Sequence, residues 1–268
     1  MPTLSHIAVY PVKALDPVAR DRVTVTDIGG LAGDRAFAIV DEAGEYVNGK
    51  RTDAVHRLRS DVDLEERTIG LAVGEDEPER FHLDRDREAI EAWLGEYLGL
   101  TVRLEERTGG AQTDRAVYSD SSKTGPTLVS TATLRKAASW YDDIDATGMR
   151  LRLRPNLVVA GVPAFWEDRL LATHSHVRIG DVRLEGVEPV PRCIVPVRDP
   201  QTGEETEEFR KRFVERREAT LPAWMDSDLL DGNFFSMTVG TRIPEADRDG
   251  TLAVGDDVEL VTGGIEAK

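Results

Sequence analysis

The chain has 268 residues, of which 40% are hydrophobic, so enough apolar surface exists to offset chain entropy and an intrinsically disordered protein is excluded. Its formal net charge of −16 disfavours binding to nucleic acid or to a membrane, because an acidic surface repels phosphates and anionic lipid head groups. Only six of the 34 basic residues are lysines, which favours a halophilic acidic surface, although an ordinary acidic protein from a GC-rich genome is the alternative.

The first third of the chain predicts a small β-barrel or open sheet. Short β-branched runs separated by Gly, Asp and Pro are typical of strands, and they read HIAVYPV, RVTVTDIGG, RAFAIV and TIGLAV. In the segment DEAGE, Gly44 can adopt the positive φ that a tight hairpin turn needs. An amphipathic helix is predicted over residues 84–98, where apolar residues recur at helical spacing.

A segment rich in Gly, Ser, Thr and Asp predicts a boundary between two lobes near residue 110. We therefore predict two domains, residues 1–110 and 111–268, in a mainly β fold of the α+β class. In the second domain, helices are predicted around residues 132–142 and 205–217. Strands are predicted at RLRPNLVVAG, VRIGDVRLEGVEPV, CIVPVRD, FFSMTVGTRI and VGDDVELV.

The chain has a single cysteine, Cys193. One cysteine excludes an intrachain disulfide, and it also excludes a cysteine-only zinc or iron–sulfur site within one chain. His174 and His176 share one face of a predicted strand, but no third ligand with matching spacing accompanies them. The sequence has no run of about 18 apolar residues and no signal-peptide layout at its start, so we expect a soluble, cytoplasmic protein.

Cys193 lies beside Arg192 in the segment VPRCIVPVRDPQTGE. An adjacent guanidinium lowers the pKa of a thiol, and this favours the thiolate that acts as a nucleophile or as a soft-metal ligand. Buried packing is the alternative, since an isolated cysteine in an apolar run often behaves as a small hydrophobic residue. The residues alone leave both interpretations open.

Four cations could hold an anion. Arg152 and Arg154 alternate by two in RLRPN, so they would share one face of a strand and could bind one anion together. Lys13 in YPVK and Arg35 in GDR follow turns at the junctions of loops and strands, where a rigid sheet can hold a charge toward a ligand. A solvated strand edge and ordinary surface charges account for these residues equally well.

Taken in order, these motifs resemble the MOSC family, which includes the mitochondrial amidoxime-reducing component and bacterial relatives. The family has an N-terminal MOSC β-barrel domain ahead of the MOSC domain proper, and the resemblance extends over nearly the whole chain. The motifs that carry it are YPVK, GLAGDR, DEAGEYV, RPNLVVAG, IGDVRLEGVEPVPRC, DPQTGE and VGDDVELV.

The resemblance implies a molybdenum cofactor, in which molybdopterin holds the metal together with a protein cysteine. The matching position is Cys193, which would be both the metal ligand and the catalytic residue. Ala14 departs from the family, because many relatives have serine directly after the lysine of the PVK motif. The positions that match the family's cofactor contacts are Lys13, Arg35, Arg154, Asn156, Ser130 and Thr131.

The implied activity is that of a molybdenum-dependent oxidoreductase that reduces N-hydroxylated small molecules. Because the chain has no further cysteines, an external electron donor, such as a ferredoxin- or cytochrome-type redox protein with its reductase, would restore the metal. Two alternatives stay open. The protein could be a carrier of the cofactor or a sulfurtransferase-type carrier with a Cys193 persulfide, or it could be a cofactor-binding scaffold without turnover.

Overall fold

The structure, a computed structural model, describes residues 1–106, 125–171, 175–230 and 232–261. Strands dominate this part of the chain, which confirms the prediction of a mainly β fold of the α+β class. The helices are α1 (Arg87–Leu98), α2 (Thr131–Ala138), α3 (Ala146–Leu153) and α4 (Phe209–Ala219). The strands are β1 (Thr3–Val9), β2 (Val18–Arg20), β3 (Arg22–Thr24), β4 (Phe37–Asp41), β5 (Leu58–Asp63), β6 (Thr68–Val73), β7 (Glu79–His82), β8 (Val102–Glu106), β9 (Thr127–Ser130), β10 (Leu157–Ala160), β11 (His176–Ile179), β12 (Val182–Pro191), β13 (Ser236–Arg242), β14 (Thr251–Ala253) and β15 (Val258–Val261).

An eight-stranded sheet forms the centre of the molecule, in the order β15-β11-β12-β13-β9-β10-β1-β2. Its strand pairs are antiparallel except for β9 and β10, which run parallel. The first strand of the chain therefore pairs with β10, far along the sequence, and β3 pairs likewise with β14. Aliphatic side chains such as Leu4, Val159 and Leu184 are fully buried and form the main core.

The N-terminal lobe, residues 37–106, contains the pair β4-β8, the three-stranded sheet β5-β6-β7 and helix α1. Its own apolar core includes Phe37, Leu58 and Ile90. The predicted hairpin turn after β4 is confirmed, because Gly44 has a φ of 77°. The predicted helix is confirmed as α1, which ends at Gly99, where φ is 65° and the N–H donates to the carbonyl of Gly95.

Helices α2, α3 and α4 pack around a third apolar core, which includes Phe209, Phe213 and Trp140. Two of these helices start at a polar cap that satisfies a free backbone N–H. Ser130 accepts from the N–H of Thr133 at the start of α2. The predicted helices in this half are confirmed as α2 and α4, with bounds that differ by a few residues.

Two strand predictions are wrong in the second half. The segment before Pro155 forms α3 rather than a strand, because Asp145 caps its first turn and Arg154, with a φ of 51°, ends it in the left-handed conformation. The segment CIVPVRD forms a short 3₁₀ helix, Val195–Val197, since the ring of Pro196 has no N–H for a strand ladder. The boundary predicted near residue 110 lies outside the described residues, and so does His174.

Candidate functional site

A cavity of about 660 Å³ lies where the N-terminal lobe meets the central sheet and the end of α3. Its walls come from the segments around residues 13–17, 28–35, 48–59, 125–127, 151–156, 188–200 and 242–243. Loops from both halves of the chain therefore enclose one space, and that space contains the sole cysteine. Within the described ranges, no helix is long and apolar enough to cross a membrane.

The walls of the cavity are strongly cationic. Three carboxylates, Asp16, Asp34 and Glu188, line it together with three times as many basic side chains. In a chain with a net charge of −16, this local excess of positive charge favours an anionic ligand. The basic residues are Lys13, Arg35, Lys50, Arg59, Arg152, Arg154, Arg192, Arg198 and Arg242.

Cys193 is a free, half-buried thiol in the short connection between β12 and the 3₁₀ helix Val195–Val197. The sequence predicted that Arg192 acts on the neighbouring thiol. In the structure its guanidinium also contacts two other elements. Arg192 Nη1 donates to the carbonyl of Leu153 at 2.9 Å, and its Nε donates to the carbonyl of Met237 at 3.0 Å. The guanidinium therefore fixes the cysteine segment to α3 and to β13.

Tyr10 supports two of the cations that the sequence singled out. The guanidinium carbon of Arg154 lies 4.1 Å from the centre of the Tyr10 ring, and that of Arg35 lies 5.1 Å from it. Such cation–π contacts help to hold a guanidinium in place. Arg154 Nη2 also donates to the carbonyl of Leu15 at 2.7 Å, and Arg35 pairs with Asp34.

Lys13 also lines the cavity. Its backbone N–H donates to the carbonyl of Phe37 at 2.8 Å, and its Nζ lies 4.7 Å from the centre of the Tyr46 ring. The next residue, Ala14, has a φ of 75°, which is an uncommon conformation for a residue with a Cβ. The turn that presents Lys13 is therefore strained, and the neighbouring fold holds it.

Asn156 lines the cavity, but its amide is engaged in the protein. Its Oδ1 accepts from the N–H of Thr127 at 3.1 Å, and its Nδ2 donates to the carbonyl of Ala8 at 3.1 Å. The side chain joins β1, β9 and β10 and is 1% exposed. Asn156 thus shapes the floor of the cavity by holding three strands together.

Arg152 and Arg154 do not share a strand face, because α3 ends between them. Arg152 is buried, and burial lowers its pKa. Its Nη1 donates to the carbonyls of Pro196 at 3.0 Å and Arg198 at 2.6 Å. Arg152 therefore stabilises the loop after Cys193. Of these two arginines, Arg154 is the one that stacks on Tyr10.

Ser130 and Thr131 lie outside the cavity, at the start of α2. The Ser130 hydroxyl is fully buried and lies 2.8 Å from the hydroxyl of Thr133. Thr131 Oγ1 lies 3.4 Å from Ser5 Oγ. The structure thus brings Lys13, Arg35, Arg154, Asn156 and Cys193 together, whereas Ser130 acts as a helix cap.

Sequence reasoning missed five further basic residues in the wall, among them His56, Arg59 and Arg198. They belong to separate segments, and no motif in the sequence links them. The contact that brings them together is tertiary, because Arg59 Nη2 donates to the carbonyl of Pro200 at 3.1 Å. The DPQTGE motif forms a turn here, and that turn packs against the N-terminal lobe.

Two family models match most of the chain. The MOSC N-terminal β-barrel domain matches residues 1–93, and the MOSC domain matches residues 127–259. The chain belongs to the MOSC family. Most of the segments that form the cavity come from the two matched regions, so the candidate site of this MOSC protein lies between its two family domains.

Curated relatives of two kinds are similar to the chain. Mitochondrial amidoxime reducing component 2 of Rattus norvegicus is 26% identical over 96% of this chain and 82% of the relative. Mitochondrial amidoxime-reducing component 1 of Homo sapiens is 24% identical over 97% and 83%. Molybdenum cofactor sulfurase of Anopheles gambiae is 30% identical over 77% of this chain, which spans about a third (32%) of that relative.

Proposed function

We propose that this MOSC protein binds the molybdenum cofactor in the cavity and reduces N-hydroxylated small molecules, with Cys193 as the protein ligand to the metal. The observation that carries the proposal is that one cavity contains the sole thiol together with Lys13, Arg35 and Arg154. The similarity to amidoxime reducing components over nearly the full chain supports a reductase in preference to other roles.

The donors in the cavity fit the chemistry of this cofactor. A thiolate is a soft ligand, and Cys193 is the residue of this chain that can supply one. Arg154 and Arg35 present guanidiniums, whose planar fork matches a phosphate. A cavity of about 660 Å³ falls in the range of cofactor and ligand sites in proteins.

When bound, the molybdenum cofactor supplies a two-electron centre that can accept an oxygen atom. Conversion of an N-hydroxyl group to N–H consumes two electrons and two protons and releases one water molecule. The protein's own residues would orient the cofactor and neutralise its charge. Cys193 would lose its proton to bind the metal, Lys13 and Arg154 would neutralise the phosphate, and Arg192 would hold the cysteine segment in register.

The two electrons for each turnover would come from a redox centre other than this site. A single cysteine cannot form an iron–sulfur cluster within this chain. We therefore propose an external ferredoxin- or cytochrome-type partner, which reduces the site between turnovers. The small-molecule substrate would enter the same cavity, beside Cys193.

A second candidate function is a carrier of the cofactor or of sulfur. Its support is the similarity to molybdenum cofactor sulfurases. This chain spans about a third of the length of those relatives. In that case Cys193 would hold a persulfide rather than a metal. The two candidates differ in what the isolated protein contains.

The deciding experiment measures molybdenum, pterin and cyanide-releasable sulfur in the protein and in its Cys193→Ala variant, both produced in a cofactor-competent host. We expect about one molybdenum and one pterin per chain in the parent and loss of the metal in the variant. A chemically reduced parent should then convert benzamidoxime to benzamidine. Releasable sulfur without metal would support the carrier, and equal activity in a Cys193→Ser variant would contradict the proposed ligand.

A further inference from the structure

A second group of basic residues lies in the cavity around His56. This imidazole is half-buried in the short helix Asp53–Arg57, and burial lowers its pKa. The positive charges of Arg198, Arg154 and Arg59 lower the pKa of His56 further, while an interaction with the Gly49 backbone acts in the opposite direction. Three guanidiniums therefore act on one imidazole.

The group is held by contacts between the two family domains. Arg59 donates to the carbonyl of His56 at 2.6 Å and to that of Pro200 at 3.1 Å. On the opposite side, the backbone of Arg198 is fixed by Arg152, which donates to its carbonyl at 2.6 Å. These contacts hold Arg59 and the backbone of Arg198 in place, so the two guanidiniums do not depend on mobile surface loops.

Two carboxylates lie near these cations and compensate Arg198 only in part. Asp16 lies 3.5 Å from Arg59 Nε, and burial raises the pKa of Asp16. Glu205 lies 3.3 Å from Arg198, but its side chain is 59% exposed, so solvent screens the pair. The Nε of Arg198 is buried and has no hydrogen-bond partner within the described ranges.

We infer that His56, Arg59 and Arg198 bound a second anion subsite, which receives a phosphate or carboxylate group carried by the substrate. This inference rests on the proposed function and deepens it by naming the substrate class, an N-hydroxylated anion. One phosphate of a pterin cofactor, with a charge of about −2, would be balanced by the three cations Lys13, Arg35 and Arg154. The additional cations therefore suit a second anionic group.

A pair of substrates that differ by one charge tests the inference. The holoprotein is assayed with benzamidoxime and with 4-carboxybenzamidoxime, and we expect kcat/KM to be about tenfold higher for the carboxylate, as a charge-assisted hydrogen bond predicts. In the variants His56→Gln and Arg198→Gln, the ratio of the two kcat/KM values should fall from about 10 to between about 1 and 3. Arg178→Gln removes an exposed arginine of β11 instead and should leave the ratio unchanged.

Binding measured without turnover separates this inference from the proposed function. Calorimetry on the holoprotein compares 4-carboxybenzamidine with benzamidine, and we expect the carboxylate to bind about tenfold more tightly. If amidoximes are not reduced but this difference persists and falls in the His56→Gln variant, the subsite stands and the proposed function fails. Equal turnover and equal binding of the two compounds would overturn the subsite while the reductase stands.

The same anion chemistry could come from the cofactor, if it carried a nucleotide with a second phosphate. Mass spectrometry of the pterin released from the parent distinguishes the two sources. A cofactor with a single phosphate, together with the tenfold preference, supports the substrate subsite. A nucleotide form of the cofactor, or a preference that survives in both variants, would overturn it.

Discussion

Arg192 Nη1 donates to the carbonyl oxygen of Leu153 at 2.9 Å, and this bond joins the segment of Cys193 to the last turn of α3. The same guanidinium reaches Met237 and Thr238 on β13. Thr238 has a φ of 72°, which is rare for a β-branched residue, and it lies where the pairing of β12 and β13 shifts register. One side chain thus stabilises an irregular strand, a helix end and the cysteine segment.

Replacement of Arg192 by lysine should release the cysteine segment. An ammonium cannot reproduce the fork that contacts both α3 and β13. We expect molybdenum content to fall at least several-fold, with a decrease of a few degrees in Tm. Metal analysis and calorimetry on Arg192→Lys, with exposed Arg103→Lys as the control, test this. Full metal occupancy in Arg192→Lys would contradict a positioning role.

The sequence predicts the fold class and much of the site because those features depend on local residues. Alternating β-branched runs and the turn at Gly44 are local, and they predict the strands and hairpin that the structure confirms. The motifs around Lys13, Arg35 and Cys193 are also local, although only the fold brings them into one cavity. Fold class and candidate residues therefore follow from short segments.

The sequence predictions fail where a helix cap or a contact between distant segments determines the structure. A period-two pattern of arginines suggests a strand, yet Asp145 and Arg154 cap the two ends of a helix in that segment. Cavity residues such as His56 and Arg198 are joined only by the packing of a turn against the N-terminal lobe. Neither effect leaves a periodic pattern in the sequence.

Replacement of Asn156 by leucine should destabilise the sheet beneath the cavity. The variant leaves the N–H of Thr127 and one acceptor site on the carbonyl of Ala8 without their side-chain partner in a buried setting. Each unsatisfied group costs about 1–3 kcal/mol, so we expect the free energy of unfolding to fall by about 3 kcal/mol. Urea denaturation of Asn156→Leu measures it. Thr127→Ser retains the hydroxyl and should stay close to the parent; a stable Asn156→Leu would refute the role.

Glu167 makes stability depend on pH. Burial and the charge of Asp168 together raise the pKa of Glu167 to about 7, while Thr133 and Ser130 oppose the shift. The unfolded chain has the ordinary value near 4.5, so the folded state binds more protons between these values. Stability from this group is therefore complete below pH 4.5 and is lost as pH rises through 7, by an amount on the order of 3 kcal/mol.

Glu167→Gln removes that dependence because the amide cannot ionise. We expect the difference in unfolding free energy between variant and parent to shift in favour of the variant from pH 4.5 to pH 8. Denaturation curves at several pH values, at constant salt, measure this difference, in which the groups that do not interact with Glu167 cancel. A difference that stays constant with pH would show that Glu167 does not titrate in the folded protein.

Gly186 lets β12 pass close to the short helix Trp166–Leu171, and a methyl group there should displace the strand that leads to Cys193. A Cβ at Gly186 would lie 2.1 Å from the carbonyl oxygen of Leu170, whereas a Cβ at Gly70 in β6 would have no neighbour nearer than 3.4 Å. Overpacking costs about 1–3 kcal/mol, so Gly186→Ala should unfold at clearly lower urea than Gly70→Ala. Because the displaced strand carries the cysteine segment, Gly186→Ala should also retain less molybdenum. Equal stability and metal content in both variants would show that β12 can move without disturbing the site.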